Sequence, residues 1–98
     1  MTFEIIIADD AKLDAEWFRK AEQATIWEKT ALQLKDQPDV ETRNRKRLRE
    51  GHMTEWELRV GAFRVYYDVN LPDGVVKVAA IGYKEGNKLF IRGQEVTP

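Results

Sequence analysis

The sequence predicts an α+β fold in which two N-terminal helices pack on one face of a mostly antiparallel sheet of four to five strands. Three observations lead there. A short β-rich run opens the chain, and a stretch with helical periodicity follows it as far as Pro38. The second half then holds three runs of alternating apolar and polar residues, separated by turns that contain glycine or proline.

Phe3, Ile5 and Ile7 alternate with Glu4 and Ile6 up to Ala8-Asp9-Asp10, which reads as a first strand and then a helix capped by Asp9 or Asp10. From residue 11 to about residue 36, Leu13, Trp17, Ala21, Ala24, Ala31 and Leu34 fall near multiples of three and four. A single helix of that length would leave its apolar stripe without a compact partner, so the run is expected to fold back as two helices, with the turn near residues 21–25. Pro38 ends the second helix, because the residue before a proline is pushed out of helical dihedrals. A polar connection over residues 39–53 leads to strands at 55–60, 63–69 and 75–83. Gly61-Ala62 and Asn70-Leu71-Pro72-Asp73-Gly74 supply the links of a meander. Residues 88–92 are a candidate last strand before a frayed tail.

Side chains alternate across a strand, so the meander sorts itself into two faces. Trp56, Leu58, Val60, Phe63, Val65, Tyr67, Val69, Val76, Val78 and Ala80 are expected to pack on the helices, with Trp17 and Trp27 in the same core. The other face carries Glu57, Arg59, Arg64, Tyr66, Asp68 and Lys77. It is too polar to be expected buried, so one side of the sheet should be open.

A chain of 98 residues suits one domain, spanning 1–98, and can bury a core without a metal or disulfide. There is no cysteine and one histidine, His52, so neither a disulfide framework nor a zinc site is expected, and no cofactor is implied. No apolar run approaches the roughly 20 residues of a membrane helix, and the N-terminus lacks the layout of a secretory signal. The expectation is a soluble cytoplasmic protein with no membrane partner. The net charge of −1 argues against a general nucleic-acid binder, but the charges are unevenly placed. Up to Glu41 there are five Lys/Arg against ten Asp/Glu, and from Thr42 onward eleven against seven, giving −5 and +4.

Two groups of residues carry chemistry. One is the run Thr42-Arg43-Asn44-Arg45-Lys46-Arg47-Leu48-Arg49, and the other is the set of sheet positions Arg59, Arg64 and Lys84. Cleaving RNA without a metal uses the ribose 2′-hydroxyl as nucleophile. A site must then hold the phosphate, accept one proton, donate another and stabilise the extra negative charge of the transition state. Arg64 and Arg59 can meet a phosphate with paired hydrogen bonds. A lysine serves as base or acid where neighbouring cations or burial favour its neutral form, and Lys46, between Arg45 and Arg47, is the candidate. Tyr66, Tyr83 and Phe90 offer rings for stacking on bases. Simpler readings stand beside these. A charged loop more often solvates a surface or binds a partner, Arg59 can pair with Glu57 or Asp68, and His52 reads as an exposed bystander. The residues alone favour a polyanion- or protein-binding module over an enzyme.

The run Trp56-Glu57-Leu58-Arg59-Val60-Gly61-Ala62-Phe63-Arg64-Val65-Tyr66-Tyr67, of the form W-x-L-R-x-G-x-x-R-x-x-Y, precedes the strand Val76-Lys77-Val78-Ala79-Ala80-Ile81-Gly82-Tyr83-Lys84. Together with the order of elements, it resembles the RelE/ParE toxins of toxin–antitoxin pairs over nearly the whole chain. The resemblance implies a cytotoxic protein neutralised by a cognate antitoxin that masks its basic face. RelE-like members cut messenger RNA on the ribosome, which is the leading expectation here, whereas ParE-like members inhibit DNA gyrase without a nuclease site; a degenerate, non-toxic member is the other alternative. Arg64 then matches the arginine at the scissile phosphate, Lys84 falls at the position of the general acid, and Lys46 falls where YoeB-type members carry a glutamate base. The strand lysines that serve RelE as base fall on Glu55 and Glu57, leaving Glu57 as a candidate base, and the terminal tyrosine of RelE falls near Phe90. By the same resemblance Arg43, Arg45, Arg47, Arg49, Arg59, Tyr66 and Phe90 become candidate RNA contacts.

Overall fold

The structure is a computed structural model and describes residues 2–96. Strand β1 (Glu4–Ile7) leads into helices α1 (Asp9–Glu16) and α2 (Lys20–Leu34), and six strands follow: β2 (Arg45–Arg47), β3 (Trp56–Val60), β4 (Phe63–Asn70), β5 (Val75–Glu85), β6 (Lys88–Ile91) and β7 (Gln94–Val96). The sheet runs β2-β3-β4-β5-β6-β7, every neighbouring pair antiparallel, and β1 joins it parallel to β5. Its seven strands exceed the four to five expected. The additions are β2, inside the basic connection, and β7, in the stretch expected to fray; Thr97 and Pro98 lie outside the described residues.

The long strand β5 organises the sheet. One edge pairs with β4 along its length, and the other is shared, with β1 beside Val75 to Val78 and β6 beside Tyr83 to Glu85. The N–H of Ile81 falls in the gap between them. Asp14 of α1, buried at 2% exposure, fills that gap by accepting from Ile81 N at 3.0 Å and from Arg92 Nε at 2.6 Å. A buried carboxylate is tolerated when charged and backbone donors both satisfy it, and here it ties α1 to the turn after β6.

The helices depart from expectation in two places. Asp9 and Asp10 occupy the first turn of α1, where negative charge suits the helix dipole, and the cap position is Ala8, which makes no side-chain cap. The break between helices falls at Trp17-Phe18-Arg19 rather than at 21–25. It is marked by the Glu22 carboxylate reaching back to the Arg19 N–H at 3.0 Å, a bond that holds the Glu22 carboxyl below its ordinary range. The helical phase restarts at this break, so a period read across it assigns the wrong faces. Ala11, Ala15, Ile26 and Leu34 are buried, while Leu13, Ala21, Ala24 and Ala31 are exposed. Trp17, expected in the core, is 59% exposed, whereas Trp27 is half-buried and Trp56 buried.

Beneath the helices the core holds Trp56, Leu58, Val60, Val65, Tyr67, Val76 and Val78, with Phe63 and Val69 against it, as the alternation predicts. Ala80 does not join them. Between Tyr66 and Tyr67 the partners on β5 jump from Ala80 to Val78, leaving Ala79 as the extra residue of a bulge. A bulge reverses the parity of everything beyond it. Ile81 therefore enters the helix-side core, and Ala80 turns to the other face. There it meets Tyr66 and Leu89, with Leu48, Ile91 and Val96 packed around them. The face expected to be open thus holds a small second core, and Tyr66 and Glu57, expected exposed, are both buried. Gly82 allows this closure, since a Cβ there would lie 2.7 Å from the Phe90 carbonyl oxygen of β6.

Candidate polyanion groove

On the sheet face away from the helices the register sets charged side chains in rows. Lys46, Glu57 and Tyr66 lie opposite one another across β2, β3 and β4, and Arg59 and Arg64 do so across β3 and β4, with Gly82 as the next partner on β5. Like charges directly opposite are destabilising. Glu57 relieves them: its carboxylate lies 3.4 Å from Arg59 Nε and 4.0 Å from Arg64 Nε. The bulge completes the set, because strict alternation from Val76 and Val78 would send Lys84 under the helices. The reversed parity instead brings it to the face of Arg64.

Lys46, Glu57, Arg59, Tyr66 and Lys84, with Arg47, Leu48, Arg49 and His52, line one groove of about 370 Å³. Six other candidate site residues, Lys46, Arg47, Arg49, Arg59, Tyr66 and Lys84, are thereby gathered with Glu57, but Arg64 stands at the edge. Its guanidinium is half-buried, its Nη1 donates to the carbonyls of Gly61 at 2.8 Å and Phe63 at 2.9 Å, and only its Nε side faces Glu57. Cationic side chains dominate the lining, which is a field for a phosphate-bearing chain.

Other candidates lie outside the groove, or line it with their side chains engaged elsewhere. Strand β2 turns Arg45 away from Lys46, so neighbours in sequence are not neighbours in space. Arg45 is buried, donating to the Gln33 carbonyl at 2.8 Å and the Val40 carbonyl at 3.0 Å, which anchors the end of α2. The Arg47 guanidinium lies 5.7 Å from the Trp56 ring centre and 3.5 Å from Glu55. Arg43 is exposed in the bend ahead of β2, outside the groove lining. Phe90 stacks on Tyr83 at 5.3 Å, in an aromatic group with Phe18 and Phe63 on the helix side. Tyr66 lines the groove, yet its ring is packed in the second core and presents no free face.

The groove is also where polar groups go unsatisfied. Among the described residues, four buried side-chain atoms lack a partner, and three of them, His52 Nδ1, Arg64 Nε and the Tyr66 hydroxyl, belong to the groove or to the ion cluster at its edge. Buried polar atoms are almost always bonded, so such a concentration is expected where a ligand completes the bonding. Burial, reinforced by the nearby Glu57 carboxylate, pushes the Tyr66 phenol above its ordinary range, keeping the hydroxyl a neutral donor. Sequence reasoning missed His52. Gly51 ahead of it has φ +92°, a conformation that favours glycine, and the loop brings the imidazole to the groove half-buried.

The fold and this face together define the class: the chain has the RelE-like toxin fold. It is similar to a chain of the toxin–antitoxin complex RelBE2 from Mycobacterium tuberculosis, with a TM-score of 0.75 and 18% identity over 86% of this chain and 93% of that one. A chain of the archaeal RelE–RelB complex from Pyrococcus horikoshii OT3 gives a TM-score of 0.68 at 25% identity, over 88% and 98%. A mutant of the toxin RelE from E. coli in the free state gives 0.65 at 16%, over 87% and 86%. No model of a protein family matches the sequence, and no curated protein is similar enough to it to count as a match.

Proposed function

We propose that this protein is the toxin of a toxin–antitoxin pair and acts as a ribosome-dependent endoribonuclease on messenger RNA in the cytoplasm, without a metal. The observation that carries the reading is the Arg59–Glu57–Arg64 cluster, which joins the edge of a groove lined by cations and bordered by unpartnered buried polar atoms. Arg64 holds the scissile phosphate through the part of its guanidinium not engaged by the turn carbonyls. Lys46, Arg59 and Lys84 stabilise the charge that builds on the phosphorus oxygens. Glu57 accepts the proton of the attacking 2′-hydroxyl. Arg49, at the groove, steers the RNA backbone, as does exposed Arg43 beyond it. A cognate antitoxin is the expected protein partner, since two of the similar structures are RelE–RelB-type complexes. That similarity is to RelE toxins and does not favour gyrase inhibition.

The test is induced expression without antitoxin, with mapping of transcript ends. The parental protein arrests growth and cuts messages at ribosome-occupied codons. Arg64→Ala lowers cleavage by about 10²–10³-fold, the usual cost of losing one transition-state donor. Cleavage at the parental rate by that variant removes the role given to Arg64, and arrest with intact transcripts favours gyrase as the target.

A further inference from the structure

Cleavage by a 2′-hydroxyl needs a proton for the departing 5′-oxygen as well as a base for the attacking group. The groove offers few donors for that step. Arginine does not give up its proton in proteins, Lys46 and Lys84 line the groove as the cations assigned above to stabilising charge on the phosphorus oxygens, Glu57 is engaged by Arg59 and Arg64, and the Tyr66 phenol is pushed above its ordinary range. His52 is different in kind. It lies between two cavities, the groove of about 370 Å³ and a neighbouring one of about 470 Å³ under the loop after β2, and it lines both. Its Nδ1 is buried without a partner, so no hydrogen bond within the described residues occupies that nitrogen. A buried, unbonded imidazole nitrogen costs stability, and imidazole is the side-chain class best suited to exchanging protons near neutral pH.

We infer that His52 is the proton donor of the cleavage reaction. The inference rests on the endoribonuclease reading given above. In the step, the 2′-oxygen forms its bond to phosphorus as the bond from phosphorus to the 5′-oxygen breaks. The 2′-hydroxyl proton passes to Glu57, and the His52 imidazolium gives one proton to the 5′-oxygen and is left neutral. The products are a 2′,3′-cyclic phosphate and a 5′-hydroxyl end, with no other reactant required.

The experiment uses ribosomes programmed with a model message whose scissile linkage carries either the natural 5′-oxygen or a bridging 5′-sulfur. A thiolate leaves without being protonated, so it relieves the need for an acid and for nothing else. His52→Ala and His52→Gln are each expected to cut the oxygen message about 10²–10⁴-fold more slowly and the sulfur message within about tenfold of the parental rate. Arg64→Ala should stay slow on both, because holding the phosphate does not depend on the leaving atom. Rescue of the His52 variants by sulfur also shows that they are folded. Equal losses on both messages, or no loss on either, overturn the assignment of His52 while leaving the endoribonuclease reading intact. If the parental protein cuts neither message, that reading fails and the role of His52 fails with it.

Discussion

Tyr66 and Tyr67 are adjacent in sequence, both almost fully buried, and opposite in what their hydroxyls do. Tyr67 points under the helices, stacks with Trp56 at 6.1 Å, and donates from its hydroxyl to the Pro38 carbonyl at 2.7 Å. Tyr66 points to the other face, packs on Ala80 and Leu89, and leaves its hydroxyl without a partner beside the groove. The same contrast holds for the two sides of the sheet. The helix side joins a continuous apolar core to satisfied polar groups such as Asp14 and Arg45, with Thr30 Oγ1 its one unpartnered buried atom among the described residues. The groove side has a small core ringed by charge and by buried polar atoms without a partner among the described residues. One face is organised for stability. The other gives some stability up, which is what a binding face requires.

On that division, the largest loss of stability comes from the helix side. Leu58 is wholly buried there, and Leu58→Ala should lower the unfolding free energy by about 2–5 kcal/mol, read from urea denaturation. A loss below about 1 kcal/mol, the scale of ordinary surface changes, would mean that the core under the helices is not what holds the sheet. Next comes Tyr67→Phe. It removes the donor from the Pro38 carbonyl and should cost about 1–3 kcal/mol by the same measurement, with the segment after α2 exchanging its amide hydrogens faster.

The sequence made the helix-side face readable because its signal is long and redundant. Seven side chains of β3 and β4 alternate in phase, and one exception would not disturb the pattern. The groove side was harder to read for local reasons. The bulge at Ala79 has no distinctive residue type, yet it decides that Ala80 and Lys84 face the groove. β2 is three basic residues, with no apolar face to announce a strand, and it sends Arg45 to the core by parity alone. The break between the helices uses Glu22 on the Arg19 N–H instead of glycine or proline, so Trp17 was read in the wrong phase. His52 sits in a polar loop whose path depends on one positive φ, and no periodicity reports where such a loop returns. The pairing of Arg59 with Glu57 was legible in the sequence, and the place of Arg64 at the same carboxylate was not.

The smallest change in stability should come from Tyr66→Phe, and it separates the two faces most sharply. The hydroxyl makes no hydrogen bond of good geometry, the Glu57 carboxylate acting on it more through charge than through a bond, so its removal should leave the unfolding free energy unchanged or raise it by up to about 1 kcal/mol, because a buried unsatisfied group is costly to keep. Tyr67→Phe, the same chemical change one residue away, moves stability the other way. Activity should then invert the order. If the Tyr66 hydroxyl donates to the phosphate during cleavage, its loss costs about one charge-assisted hydrogen bond, roughly tenfold in rate, while Tyr67→Phe, measured where it is fully folded, keeps the parental rate. A Tyr66→Phe variant destabilised as much as Tyr67→Phe would show that the hydroxyl is bonded in the folded protein, and the distinction between a satisfied and an unsatisfied face would collapse at the residue that displays it best.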